Sequence, residues 1–473
     1  MSDLDLCFLS ATEALARFRA HSLSPVELCQ ALIARNEAVN PRLNALTDTY
    51  FDEALAQARK AEARYRNPRS GRARPLEGLT LAVKDFHSVK GRRTTYGSRI
   101  YADFKPNNTA PTVERLLAAG ALLFSRTTTP EFAHCGITTS PLWGVTRNPW
   151  NTDCTPGGSS GGAGAVMAAG LATLADGTDG GGSCRIPAAF SGVVGYKPPF
   201  GRNPLDREHP LENMLHYGPL TRTVADAALM QNVMSGQHVA DQCSLREKLV
   251  LPEVFPSVKG MKIAFSMDLG YYQVAPDVQR NTREMVRALK RLGAKVEEVD
   301  LGWNYGVLDA WMTRWQGIFA DIGGPLLPRW RYEMTPFCVT LVENGLRQAA
   351  DRFYHTNVTR GEMYSRLGPV LEKYEALVCP TLAVSSLPAD HDSGGNSLTI
   401  NGTRVPDYLG WALTYPFNLM AWCPAMSIPS GFGDQDTPTG LQIVGRTFDD
   451  MNVFRIAAAL ERARPWLGRR PAL

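Results

Sequence analysis

The stretch at 155–197 reads TPGGSSGGAGAVMAAGLATLADGTDGGGSCRIPAAFSGVVGYK. Two clusters of glycine and serine, PGGSSGG at 156–162 and GTDGGGS at 177–183, flank a run of small apolar residues that suits a closely packed helix. Glycine admits backbone conformations closed to other residues and lets a ligand or a second segment approach the main chain. Two such clusters beside one short helix mark a site, and both contain serine.

Several familiar uses of glycine do not fit. A phosphate loop needs GxxxxGK[ST], and neither cluster places lysine after glycine in that way. A dinucleotide fingerprint fails because Gly162-Ala163-Gly164 is followed three residues later by Met167, and no strand leads in. Gly157-Gly158-Ser159-Ser160-Gly161 satisfies GxSxG literally, but a nucleophile elbow follows a strand. Here the preceding 151–156 is polar and ends in Pro156, and no HGGG-type oxyanion motif is present.

Serine can also be activated by lysine, when burial lowers the lysine pKa so that the amine is neutral at working pH. Lys84 is placed for this. In 78–85 Leu79, Leu81 and Val83 alternate as on a half-buried strand, leaving Thr80, Ala82 and Lys84 on the other face, with Lys84 at the strand's end. Taken alone, Lys84 reads first as a solvated strand end. Ser159, Ser160 and Ser183 read first as turn and cap residues.

Outward from this centre, strands alternate with helices. Ser10-Ala11-Thr12-Glu13 and Ser24-Pro25-Val26-Glu27 are capping boxes that open two helices, and 52–66 continues as a polar helix ending near Asn67-Pro68. Residues 111–126 read as helix, glycine stop and short buried strand, and 127–150 as loop. Beyond the glycine clusters, 219–235 reads as helix, 262–265 as strand, 277–292 as helix and 294–299 as strand. Between about 303 and 370 the chain is aromatic and irregular in spacing; these rings either line an apolar pocket or, more simply, fill the core. Strands follow at 376–381, 416–429 and 440–446, then a helix at 449–463. The alternation predicts an α/β fold.

Composition closes off other classes. The chain has 473 residues, 44% hydrophobic and 20% charged, enough to bury a large core, and no linker or repeat marks a boundary; one domain over 1–473 is expected, with a more variable region at 300–400. A net charge of +4 with dispersed basic residues leaves no nucleic-acid footprint. No signal-like N-terminus and no run near ~18 apolar residues is present, so no membrane partner and a cytoplasmic location are expected. Nine cysteines without regular spacing argue for reduced thiols, and against a disulfide frame or a zinc site.

VKD at 83–85, NPW at 148–150, PGGSSGG at 156–162, GTDGGGSCRIPAAFSGVVGYKP at 177–198, GPLTRTVADAA at 218–228, and PFN with GLQIVGR between 416 and 446 together resemble the amidase signature family, in that family's order and over most of the chain. The resemblance implies a mixed, twisted β-sheet flanked by helices. It also implies a hydrolase of linear amides that uses a Ser-cisSer-Lys triad and neither metal nor organic cofactor.

Matched residue by residue, Ser183 is the nucleophile, Ser159 the bridging serine and Lys84 the base. The backbone N–H groups from Gly180 through Gly181 and Gly182 to Ser183 form the oxyanion hole, and Ser160 supports the triad at the substrate site. A homodimer is compatible with the family. Two departures stand out: glycine at 180, where the family usually has threonine or another larger residue, and Cys184 after the nucleophile, which reads as a small buried residue. Arg185 is expected to anchor the loop to Asp179, and His216 has no role.

Within the family, the glutamine-hydrolysing component of the tRNA-dependent amidotransferase is the alternative. It typically carries an SLDQ-like run before GPLTR, where this chain has Glu212-Asn213-Met214-Leu215-His216-Tyr217. That favours a free-standing amidase, and the 303–332 aromatics, if they line the pocket, favour an aryl or bulky apolar amide. A non-catalytic binding protein on the same scaffold is disfavoured by the presence of Lys84, Ser159 and Ser183 together.

Overall fold

The computed structural model describes residues 2–67, 72–206, 212–395 and 398–473. Serine caps start the N-terminal helices. A short helix α1 (Asp3–Cys7), not expected from sequence, precedes α2 (Ala11–Arg19) and α3 (Pro25–Leu43). Ser24 and Glu27 make the full reciprocal capping box, whereas Ser10 caps Glu13 N–H but Glu13 turns to Arg17 instead. The next helix, α4 (Phe51–Arg66), ends at Asn67 as expected, with Pro68 outside the described residues.

The centre is an eleven-stranded mixed sheet, counted among the described residues. In chain order its strands are β1 (Leu46–Thr49), β2 (Thr80–Lys84), β3 (Leu122–Thr127), β4 (Leu174–Asp179), β5 (Val194–Lys197), β6 (His216–Thr221), β7 (Lys262–Phe265), β8 (Lys295–Glu298), β9 (Ala376–Pro380), β10 (Ala425–Phe432) and β11 (Pro438–Gly445). They lie side by side as β1-β3-β2-β4-β6-β5-β10-β11-β9-β7-β8. β2 runs parallel to both β3 and β4, so their carboxyl ends open on one edge, where α/β sheets bind ligands.

Helices α5 (Pro111–Ala118), α6 (Gly161–Ala169), α7 (Arg185–Ser191), α8 (Val224–Met234) and α9 (Pro276–Arg291) connect these strands. All nine residues of α6 are buried, and a Cβ at Gly164 would stand 2.9 Å from Pro187 Cβ of α7. Small residues let these two helices lie this close.

Several expectations change. β2 is buried on both faces, not half-buried, because layers cover the sheet from either side and the strand's short polar residues find partners inside it. The segment 216–221 is strand β6, so the helix expected from 219 starts only at Val224; Thr223 caps it by accepting Asp226 N–H. Pro416–Leu419 is a helical turn, here α14, with strand only from Ala425, since Pro416 at the first helical position suits a helix start.

The 303–370 region is regular after all: α10 (Gly306–Gly323), α11 (Leu327–Trp330), α12 (Pro336–Leu346) and α13 (Ala350–Lys373) fill it, and α15 (Asp450–Ala463) closes the chain. Trp311, Trp315, Ile318, Phe319 and Ile322 recur at helical spacing once aliphatic residues are counted with the rings. No helix among the described residues is long and apolar enough to cross a membrane.

Candidate active site

Lys84 ends β2 fully buried, and its main chain is clamped on both sides. Its N–H donates to Asp176 Oδ1 at 2.7 Å, while its carbonyl accepts Arg126 Nη2 at 3.1 Å. The other oxygen of Asp176 lies 2.7 Å from His87 Nδ1. These contacts fix the direction in which the lysine side chain leaves the strand.

Its amine lies 2.7 Å from Ser159 Oγ and 2.7 Å from Thr178 Oγ1. Burial pulls the Lys84 pKa down to about 7 against the opposing influence of Cys184, Asp176 and Asp179, so much of the amine is neutral near pH 7. The Gly158–Ser159 peptide bond is cis. Ser183 lies on the turn between β4 and α7, partly exposed, and lines the same cavity as Ser159 and Thr178.

That cavity, about 30 Å³, is closed on the far side by Phe86, Phe132, Leu215 and the α10 face of Trp315, Ile318, Phe319 and Ile322. Its wall is thus mainly aromatic and aliphatic, with Glu212 also among the lining residues. The rings between 303 and 332 divide: Trp315 and Phe319 face the cavity, Trp303 is core, and Tyr332 is exposed.

The loop from Gly180 to Ser183 is anchored from below. Arg185 holds the Asp179 carboxylate with two bonds, 3.0 Å from Nε and 2.7 Å from Nη2, and also donates to Thr414 O and Asn418 Oδ1. Burial pushes the Asp179 pKa up, but Arg185 and Asn418 outweigh it and hold the carboxyl below its usual value. Arg185 is therefore an anchor, as expected. Cys184 is fully buried, and burial raises its thiol pKa well above the usual value, which makes it a packing residue.

Ser160 is fully buried, and its hydroxyl lies 3.3 Å from both Thr178 N and Thr178 O, so it braces β4 at the residue whose hydroxyl holds the Lys84 amine. Of the three glycines, Gly180 lines the cavity directly. His216 is buried in β6, where burial lowers its pKa far below the usual value and keeps it neutral.

Thr178, Asp176, His87 and Arg126 were not singled out by sequence reasoning. Thr178 and Asp176 do lie in the quoted central stretch, two residues apart on one face of β4, and that period was the available signal.

Comparison with known proteins agrees with this geometry. A family model described as Amidase matches residues 27–454. The chain belongs to the amidase signature family. It is a hydrolase of carbon–nitrogen bonds in linear amides. It is 35% identical to an acylamidase of Rhodococcus erythropolis, across 100% of this chain and 99% of that one. A component of the glutamyl-tRNA(Gln) amidotransferase of Chloroflexus aggregans is 31% identical across 99% of both. Among solved structures, a bacterial aryl acylamidase of the amidase signature family superposes on this amidase with a TM-score of 0.90, 30% identity and 97% coverage of each chain.

Proposed function

We propose that this amidase cleaves aryl or bulky apolar amides through a seryl acyl-enzyme. Ser183 attacks the carbonyl while its proton passes to Ser159, whose own proton passes to neutral Lys84. The same relay returns a proton to the leaving amine, and in the second half activates the water that hydrolyses the ester. Gly180, Gly181, Gly182 and Ser183 offer their N–H groups to the oxyanion. Thr178 holds the Lys84 amine so that its lone pair points at Ser159.

The substrate reading is carried by one observation: Trp315, Phe319, Ile318 and Ile322 give the cavity beyond Ser183 an apolar face that suits a flat apolar group, with Glu212 the one charged side chain among the lining residues. The acylamidase and aryl acylamidase relatives support it. The glutaminase reading has the amidotransferase relatives in its favour but must place a polar side chain against that wall. We take the chain as one domain whose variable 300–400 region supplies this wall. The nine free cysteines, eight of them buried, support a reducing, cytoplasmic setting.

The test is amine release near pH 8 from 4-nitroacetanilide and other anilides, aliphatic amides and glutamine, with Ser183→Ala beside it. Preference for anilides, lost in Ser183→Ala, is the expected result. Preference for glutamine overturns the substrate reading, and an active, folded Ser183→Ala overturns the acyl-enzyme.

A further inference from the structure

Three successive carbonyls of the loop before Ser183, those of Asp179, Gly180 and Gly181, are each held by a side chain from far along the chain, and the fourth, Gly182 O, accepts Ile186 N–H of α7 at 2.6 Å. Asn418 Nδ2 donates to Asp179 O at 2.9 Å, Trp311 Nε1 donates to Gly180 O at 3.0 Å, and Thr414 Oγ1 donates to Gly181 O at 2.6 Å. In a planar trans peptide the C=O and the following N–H point in opposite directions. Each bond therefore turns one N–H the other way, namely those of Gly180, Gly181 and Gly182. Among the described residues none of these, nor Ser183 N–H, has an acceptor in the protein.

Glycine peptides rotate with little resistance, so a run of three has no orientation of its own. A flipped Gly180–Gly181 peptide would present a carbonyl where the hole requires a donor. The indole of Trp311 opposes this twice: its N–H captures Gly180 O, and its ring, 1% exposed, occupies the space beside Gly181, where a Cβ would stand 2.7 Å from Cζ2. Thr414 does the same for the next peptide, its side chain filling the place of a Cβ on Gly182.

We propose that Trp311 is a positioning residue for catalysis, which together with Thr414 and Asn418 aims the backbone donors of the oxyanion hole by holding the opposite ends of their peptides. This rests on the acyl-enzyme reading above. Trp311 is not among the residues lining the cavity, so it acts through the Gly180–Gly181 peptide.

Trp311→Phe keeps a ring and removes only the donor. With 4-nitroacetanilide its kcat should fall about 10- to 100-fold, somewhat less than deletion of a direct oxyanion donor, with KM within about twofold. Inhibition by phenylboronic acid, whose adduct on Ser183 places an oxygen in the hole, should weaken by a similar factor, while competition by the product 4-nitroaniline should not change. Thr414→Val should repeat the pattern and carries the test if Trp311→Phe does not fold. Trp303→Phe, which loses an indole bond to Met363 O away from the site, should keep its kcat.

Wild-type kcat in both Trp311→Phe and Thr414→Val overturns the proposal, as does an equal loss of 4-nitroaniline and boronate binding. If instead Ser183→Ala stays active, or phenylboronic acid fails to inhibit the native enzyme, the acyl-enzyme reading itself is what fails.

Discussion

The indole of Trp315 occupies the space that a side chain at residue 180 would need: a Cβ built on Gly180 would stand 2.9 Å from Trp315 Cζ3. Residue 180 is where the family usually carries threonine or another larger residue. The glycine here is thus one half of a pair, and the other half is a tryptophan that walls the substrate cavity.

Gly180→Thr should consequently impair this enzyme, because the new side chain forces either Trp315 or the oxyanion loop to move. A fall in kcat/KM of about 100-fold, roughly 3 kcal/mol of transition-state stabilisation, is expected. Gly180→Thr combined with Trp315→Ala should recover a large part of the loss on small aliphatic amides and not on anilides. A double-mutant cycle in kcat/KM measures the coupling, and strictly additive effects would contradict it.

Lys84 must be neutral to accept a proton, and burial brings its pKa to about 7. Rate should therefore rise with pH through a limb near 7 in kcat/KM of the free enzyme and level off above it. A profile flat from about pH 5.5 to 9 would separate Lys84 from the proton relay.

The same burial costs stability. An unfolded lysine titrates near ~10.4, so between about pH 7 and 10 the unfolded chain binds more protons than the folded one, and stability from this group rises with pH. At about pH 7.5 the cost is on the order of 4 kcal/mol, offset in part by the contacts of Lys84 with Ser159 and Thr178. Lys84→Met should abolish turnover yet stabilise the fold by about 1–3 kcal/mol at about pH 7.5, a gain that shrinks towards pH 10. Urea unfolding at both pH values reads it; a destabilised Lys84→Met with no pH dependence would refute it.

Much of the site was legible before the fold. Lys84, Ser159 and Ser183 stand in stretches whose glycines and flanking residues carry the family's pattern, and in space Lys84 does meet Ser159 across 75 positions of chain. The anchoring of Asp179 by Arg185 was readable for a simpler reason: they flank the same short loop and are opposite in charge. The starts of α2 and α3 were also readable, because capping is local chemistry between residues a few positions apart.

What the chain order did not reveal are contacts made by residues with no distinctive neighbours. Trp311 reads as one more core aromatic, yet its indole N–H meets Gly180 O from 131 positions away. Ser160 reads as support for the triad by hydrogen bonding, but only the fold shows that its bonds run to the main chain of Thr178, whose hydroxyl holds the Lys84 amine. The local pattern of glycine, serine and lysine specifies which groups can react, since that depends on residue type and on backbone freedom within a few residues. Which peptides point at the substrate, how acidic Lys84 becomes and how wide the cavity is depend on burial and on long-range packing: α10 and the 414–418 turn hold the carbonyls of the loop, and the covered sheet buries Lys84.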